Sequence, residues 1–165
     1  LQKPTICALN GSAAGYGMDT ALGCDIRIMA ESAKMAAAFT KRGIVPESGG
    51  TWLLPRIIGW SKAAELIFTG RTLTAAQCKE LGLCSDVVPD SEIAARARSV
   101  AAEIAANAPL AVRAIRRAIR EGSEMPLPQG LLFERTLFNA LRNTADRAEG
   151  RAAFRERRPP VFTGQ

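Results

Sequence analysis

Histidine is missing altogether from the 165 residues. Its absence removes the side chain that most readily titrates near neutral pH, and with it every Ser-His-Asp or Cys-His arrangement and most catalytic zinc sites. Proton transfer is left to carboxylates, lysines, the single tyrosine or the backbone. Aromatic residues are scarce at 5%, so the arginines that crowd the chain after residue 95 have no interleaved stacking platforms. Nucleic acid is therefore not an expected partner. The net charge of +6 reads first as solvated helix faces, with a phosphorylated small molecule or an acidic subunit face as further takers. No apolar run has the length of a bilayer span, and the N-terminus lacks a charged-then-apolar signal pattern. The expectation is a soluble, cytoplasmic protein with no membrane partner. Cys7, Cys24, Cys78 and Cys84 show no C-x-x-C spacing, which points to buried reduced thiols rather than a metal site or a disulfide frame.

What is present is organised around Lys3 to Asp25 (KPTICALNGSAAGYGMDTALGCD). Thr5 to Leu9 is β-compatible and apolar, and reads as a buried strand. Asn10 and Gly11 break it. Gly15 and Gly17 let the backbone approach another group closely before Met18 to Gly23 coil into a helix of small residues. A helix that starts directly behind such a turn aims unpaired N–H groups and the positive end of its dipole at whatever lies there, so an oxyanion or other anionic group fits.

The remaining chain alternates short strands and helices before becoming helical. Asp25 to Ala30 reads as a second strand and Met35 to Phe39 as a third extended stretch. A Gly- and Pro-rich loop, Gly43 to Thr51, is a second functional candidate and leads into Trp52 to Ile58, a segment that Pro55 should interrupt. Ser61 to Phe68 reads as a helix stopped by Thr69-Gly70. Thr74 with Gln77 forms a capping-box pattern for a helix over Ala75 to Leu81, and Ser85 to Val88 is a strand ended by Pro89. Ser91 and Glu92 open a helix to about Asn107, and Pro109 opens another through Arg120. Met125 to Pro128 reads as a linker before Leu131 to Arg142, and Thr144 caps a last helix to Arg158 ahead of Pro159-Pro160. This is an α/β core, residues 1–90, followed by a helical region, residues 91–165. The sheet is thin for so many apolar helices, and the chain opens without methionine on a buried-looking strand, so a missing N-terminal part is expected.

In KPTICALNGSAAGYGMDTALGCDIRI, GIVPESGGTWLLPRIIG, SKAAELIFTGRTLTAAQCKELGL, VVP and AEGRAAFRERRPPVF, taken in that order, the chain resembles the crotonase, or enoyl-CoA hydratase/isomerase, superfamily, and looks like its C-terminal two-thirds. The resemblance implies a spiral of ββα units with a helical trimerisation region, assembled as a homotrimer or a dimer of trimers. It also implies an acyl-CoA thioester as substrate, with no cofactor beyond the coenzyme A that the substrate carries. Two backbone N–H groups would hold the thioester oxygen as an enolate forms. One of these donors falls on Tyr16 in Gly15-Tyr16-Gly17, and the other belongs to the part not present.

Of the two glutamates used by hydratases, the first maps to Asp19. The second maps to Phe39, which cannot carry a proton and would instead line the acyl pocket. Glu47 falls where dienoyl-CoA isomerases and a chlorobenzoyl-CoA dehalogenase of this superfamily carry a functional aspartate. Arg157 aligns near a family lysine that contacts phosphate, whereas Arg151, Arg155 and Arg158 read as solvated and Trp52 and Trp60 as packing. The expectation is an isomerase ahead of a hydratase, with Glu47, Asp19 and the Tyr16 amide as the chemical groups. The alternative is an acyl-CoA-binding protein that has lost its chemistry.

Overall fold

The computed structural model describes residues 2–165. Its elements are β1 (Ile6–Leu9), β2 (Ala13–Ala14), α1 (Tyr16–Leu22), β3 (Ile26–Ala30), β4 (Lys34–Ala36), α2 (Gly50–Ile58), α3 (Trp60–Thr69), β5 (Thr72–Thr74), α4 (Ala75–Glu80), β6 (Asp86–Val88), α5 (Ile93–Ala105), α6 (Pro109–Gly122), α7 (Leu127–Leu141) and α8 (Ala145–Glu156), with 3-10 turns at Thr40–Arg42 and Asp90–Glu92. Two compact units divide the described residues: Thr5–Ser99, and Val100–Gln165 with residues 2–4.

In the first unit, each strand–strand–helix passage sends its first strand to one sheet and its second to another. β1, β3 and β6 form a parallel sheet in that order, with Ile6 opposite Ile26 and Ile28 opposite Asp86. β2 and β4 run parallel in the second sheet, Ala13 opposite Met35, and β5 closes it antiparallel, Lys34 opposite Thr74. Parallel neighbours one passage apart are the signature of a chain wound as a spiral, since each must be reached by a crossover through a helix. The core between the layers is built from Met18, Ile28, Met29, Met35, Leu54, Leu66, Leu73 and Leu83, all fully buried, with alanines filling the narrow places.

Several local expectations are corrected. Among the described residues β1 stands at the edge of its sheet, and of its four residues Leu9 is buried while Ala8 is exposed. The extended stretch ends at Ala36, and Phe39 instead has helical φ/ψ and opens the Thr40–Arg42 turn. Pro55 sits inside α2 without interrupting it. It forfeits one ladder bond, to the carbonyl of Thr51, and Thr51 is exposed, so water can take that bond. The Met125–Pro128 linker is shorter than expected, because Pro126 is the N-cap of α7 and Pro128 lies in its first turn, where a missing N–H costs nothing.

In the second unit α6 and α7 pack together, with the Arg117 guanidinium 5.2 Å from the Phe133 ring centroid. Beyond α8 the chain doubles back along it. The buried Asp146 carboxylate accepts the Thr163 and Gly164 amides at 2.7 and 2.9 Å, and Glu149 accepts two bonds from Arg158, at 2.6 and 2.9 Å, together with the Val161 amide at 2.8 Å.

Candidate active site

The strand–turn–helix at the start of the first unit builds its site from backbone. Gly15 donates to the Ala36 carbonyl at 3.0 Å, which aligns the turn on the second sheet. Its φ of +56° is one that L side chains rarely adopt. α1 has no side-chain cap, and its first internal bond runs from the Asp19 amide to the Gly15 carbonyl at 3.0 Å. The amides of Tyr16, Gly17 and Met18 precede that bond and face out of the helix end, where the dipole favours negative charge. Tyr16 itself is 65% exposed.

Beneath the turn lies Phe39, 3% exposed, with its ring 3.8 Å from where a Cβ on Gly15 would stand. The 3-10 turn that follows it is fixed by the Thr40 hydroxyl, which donates to the Ile67 carbonyl at 3.0 Å, and by the Arg42 and Ile44 amides, which donate to the Phe39 carbonyl at 2.9 and 3.2 Å. The position to which the resemblance assigns a second carboxylate is thus an apolar wall.

Asp19, one turn along α1, is buried at 3% exposure. The backbone amides of Ser48 and Gly50, at the approach to α2, favour its charged form, while one oxygen, Oδ2, has no hydrogen-bond partner among the described residues. Burial, foremost, and the charge of Glu47 raise its pKa against the opposing pull of the two amides. Glu47 itself is exposed, on the loop between the Thr40–Arg42 turn and α2. The structure therefore places Gly15, Tyr16, Gly17 and Asp19 on one turn and helix start, Phe39 against Gly15, and Glu47 within electrostatic reach of Asp19. Arg157 belongs to the other unit, exposed, with a left-handed φ of 54° at the end of α8.

Gly50 escaped the sequence reading as a site residue. A Cβ there would stand 2.8 Å from Asp19 Cγ and closer still to Oδ1. The adjacent pair Gly49-Gly50 was the available signal: Gly49 supplies φ +95° and Gly50 the room. Gly50→Ala is expected to destabilise the protein by about 1–3 kcal/mol, the cost of overpacking a filled site. Urea midpoints would measure it, and Asp19→Ala in the same chain should remove much of the penalty because the two side chains compete for one volume.

Asp19 also sets a pH dependence. A carboxyl whose folded pKa lies above its unfolded one holds a proton that the unfolded chain releases, so stability falls as pH rises from the ordinary Asp value, 3.8, through the raised one. Asp19→Asn cannot ionise. It is expected to be the more stable protein at neutral pH and to lose that advantage below the ordinary Asp range, as read from paired urea midpoints across the window.

Comparison with known proteins decides the family. All of residues 1–165 match the family described as enoyl-CoA hydratase/isomerase. The chain belongs to that family. Among its relatives, the enoyl-CoA hydratase domain-containing protein 2 of Mus musculus mitochondria is 46% identical over 98% of this chain and 56% of its own length. The (E)-benzylidenesuccinyl-CoA hydratase of Thauera aromatica is 43% identical over 98% of this chain and 63% of its own length. The crystal structure of an enoyl-CoA hydratase from Bacillus anthracis superposes with a TM-score of 0.98 at 43% identity, covering 100% of this chain and 64% of that one. The enoyl-CoA hydratase/isomerase fold expected from the sequence is thereby shown, and the chain spans about three-fifths of the length of these relatives.

Proposed function

We propose that the protein is an acyl-CoA-transforming enzyme that stabilises a thioester enolate and moves a proton with a carboxylate, working as a double-bond isomerase ahead of a hydratase. The Tyr16 amide supplies one hydrogen bond to the thioester oxygen. The second donor lies, on the family resemblance, in the part of the relatives that this chain does not span. Glu47 takes a proton from one carbon of the substrate, the dienolate is held at the helix start, and the proton returns to another carbon. One carboxylate suffices for that sequence, whereas addition of water needs a group to hold and deprotonate it as well as a proton delivered on the other side. Asp19 supports Glu47 and could share the handling of a water.

The observation that carries this reading is Phe39. It is buried against Gly15, so an apolar ring occupies the place of the hydratases' second glutamate and leaves Glu47 as the exposed carboxylate of the loop beside it. The test is turnover by wild type and Glu47→Gln, each expressed from the whole reading frame, on a panel of unsaturated acyl-CoA esters.

Phe39 also favours a second reading, an acyl-CoA-binding protein without chemistry, for which tight binding with no turnover across the panel is the signature. On either reading coenzyme A arrives with the substrate, no further cofactor is called for, and Arg157 and the pocket-lining Phe39 are substrate contacts. A homotrimer or dimer of trimers is supported by the exposed apolar residues Ile115 and Ile119 of α6 and Leu131, Leu132 and Phe138 of α7. Among the described residues no helix is long and apolar enough to cross a membrane, and the cytoplasm is the proposed location.

A further inference from the structure

The second unit holds a cavity that the chemistry above does not use. Its volume is about 700 Å3, and it lies between the start of α6, the end of α7, one face of α8 and the returning tail, all within that unit. Apolar groups make most of the wall: Leu110 and Ala111 of α6, Phe138 and Leu141 of α7, Phe154 of α8 and Phe162 of the tail. The tail is held as part of that wall. The Phe162 ring lies against Gly150, 3.6 Å from where a Cβ there would stand, and the tail's Gly164 closes on Pro109 at the head of α6. Asp146 fixes both ends of this contact, its carboxylate holding the Thr163 and Gly164 amides and its own amide donating to the Gln165 carbonyl at 3.0 Å. Charge enters from one side. Arg147, Arg151 and Arg155 recur at every fourth position and so form one row along α8. Arg147 is anchored, donating to the Arg142 carbonyl at 2.8 Å with its guanidinium 5.4 Å from the Phe138 ring centroid. Arg151 and Arg155 are exposed and make no side-chain hydrogen bond or ion pair among the described residues. The carboxylate in the lining, that of Asp146, is buried and engaged by the tail amides rather than by this row.

We propose that this cavity binds a fatty carboxylate, with the chain on the apolar wall and the head group on Arg151 and Arg155. A concave site of this size, apolar over most of its lining and polar along one edge, has the form that small-molecule sites take. A carboxylate matches the planar fork of a guanidinium with two parallel hydrogen bonds. An anion without an apolar body would leave the leucine, alanine and phenylalanine wall in water, and an uncharged chain would gain nothing from the arginine row. A fatty carboxylate uses both. Hydrolysis of an acyl thioester releases such an acid, which on the acyl-CoA reading above links the cavity to the protein's own substrate class. The binding itself does not depend on that reading.

The test titrates decanoate, below its micelle concentration, into the protein expressed from its whole reading frame, with decanol and acetate in parallel, and follows binding by calorimetry. Decanoate should bind, and decanol and acetate should bind more weakly by about tenfold or more. Arg151→Gln combined with Arg155→Gln changes two exposed side chains and should weaken decanoate binding by about tenfold or more. An acyl pocket elsewhere could also take decanoate, so a decanoate carrying a terminal diazirine is photolysed on wild type and the label is mapped by peptide mass spectrometry. The label should fall within residues 108–162. No binding of decanoate, equal binding of decanol or acetate, an unchanged affinity in the double variant, or label confined to residues 5–99 would overturn the proposal. The label map of wild type decides the matter even if the variant fails to fold.

Discussion

Glu47→Gln should lower turnover on unsaturated acyl-CoA esters by on the order of 10²-fold or more, with little change in affinity for them. The amide has the same shape and remains exposed on its loop, so the fold has no reason to respond, but it can neither accept nor return a proton. If Glu47 is the proton carrier, the loss falls on kcat, because the group acts on the reacting carbons and not on the coenzyme A portion. Asp19 cannot easily replace it. Its carboxylate is buried beside the Ser48 and Gly50 amides at the approach to α2, where those amides favour its charged form. Equal turnover by wild type and Glu47→Gln would remove Glu47 from the mechanism.

Tyr16→Pro should cost about 10²–10³-fold in kcat, the usual loss when one oxyanion donor is removed. The substitution is unusually clean. Tyr16 is the first residue of α1, where proline is tolerated because its missing N–H has no partner inside the helix, and its ring fixes a helical φ. Tyr16→Ala keeps the amide and removes only an exposed ring, so it should retain most of the activity. The contrast separates a role for the backbone from a role for the side chain, which the phenol's exposure makes the weaker candidate.

Much of the fold could be read from local chemistry, since its signals lie within a few residues. Thr74 and Gln77 cap α4 reciprocally, the Thr74 amide donating to Gln77 Oε1 at 2.9 Å. Thr144 caps α8 as its spacing implied, accepting from the Arg147 amide. What escaped was set at long range. β2 is two alanines and exists because Ala13 and Ala14 pair with Met35 and Ala36, and β5 exists because Thr72 to Thr74 pair with β4. β2 has no side-chain pattern of its own, and the exposed–buried–exposed alternation of Thr72, Leu73 and Thr74 in β5 is too short to stand as a strand signal. Likewise the extended reading of Met35 to Phe39 followed its apolar run, but the chain turns after Ala36 to bring Phe39 under Gly15.

The candidate site divides in the same way. The glycine turn and the start of α1 could be read from Gly15-Tyr16-Gly17, because φ > 0 and a helix start leave marks in sequence. The seat of Asp19 could not. It depends on Gly50, thirty-one positions along the chain (50 − 19), offering an amide and no Cβ.

Enolate formation is the central claim, and it can be observed without knowing the acyl group. A short saturated acyl-CoA is incubated in D2O with the protein expressed from its whole reading frame, and deuterium at the carbon next to the thioester is followed by mass spectrometry. Wild type and Tyr16→Ala should catalyse the exchange, while Tyr16→Pro and Glu47→Gln should lose it by about 10²-fold or more. Exchange at the wild-type rate in both Tyr16→Pro and Glu47→Gln, or none in wild type, would contradict the account.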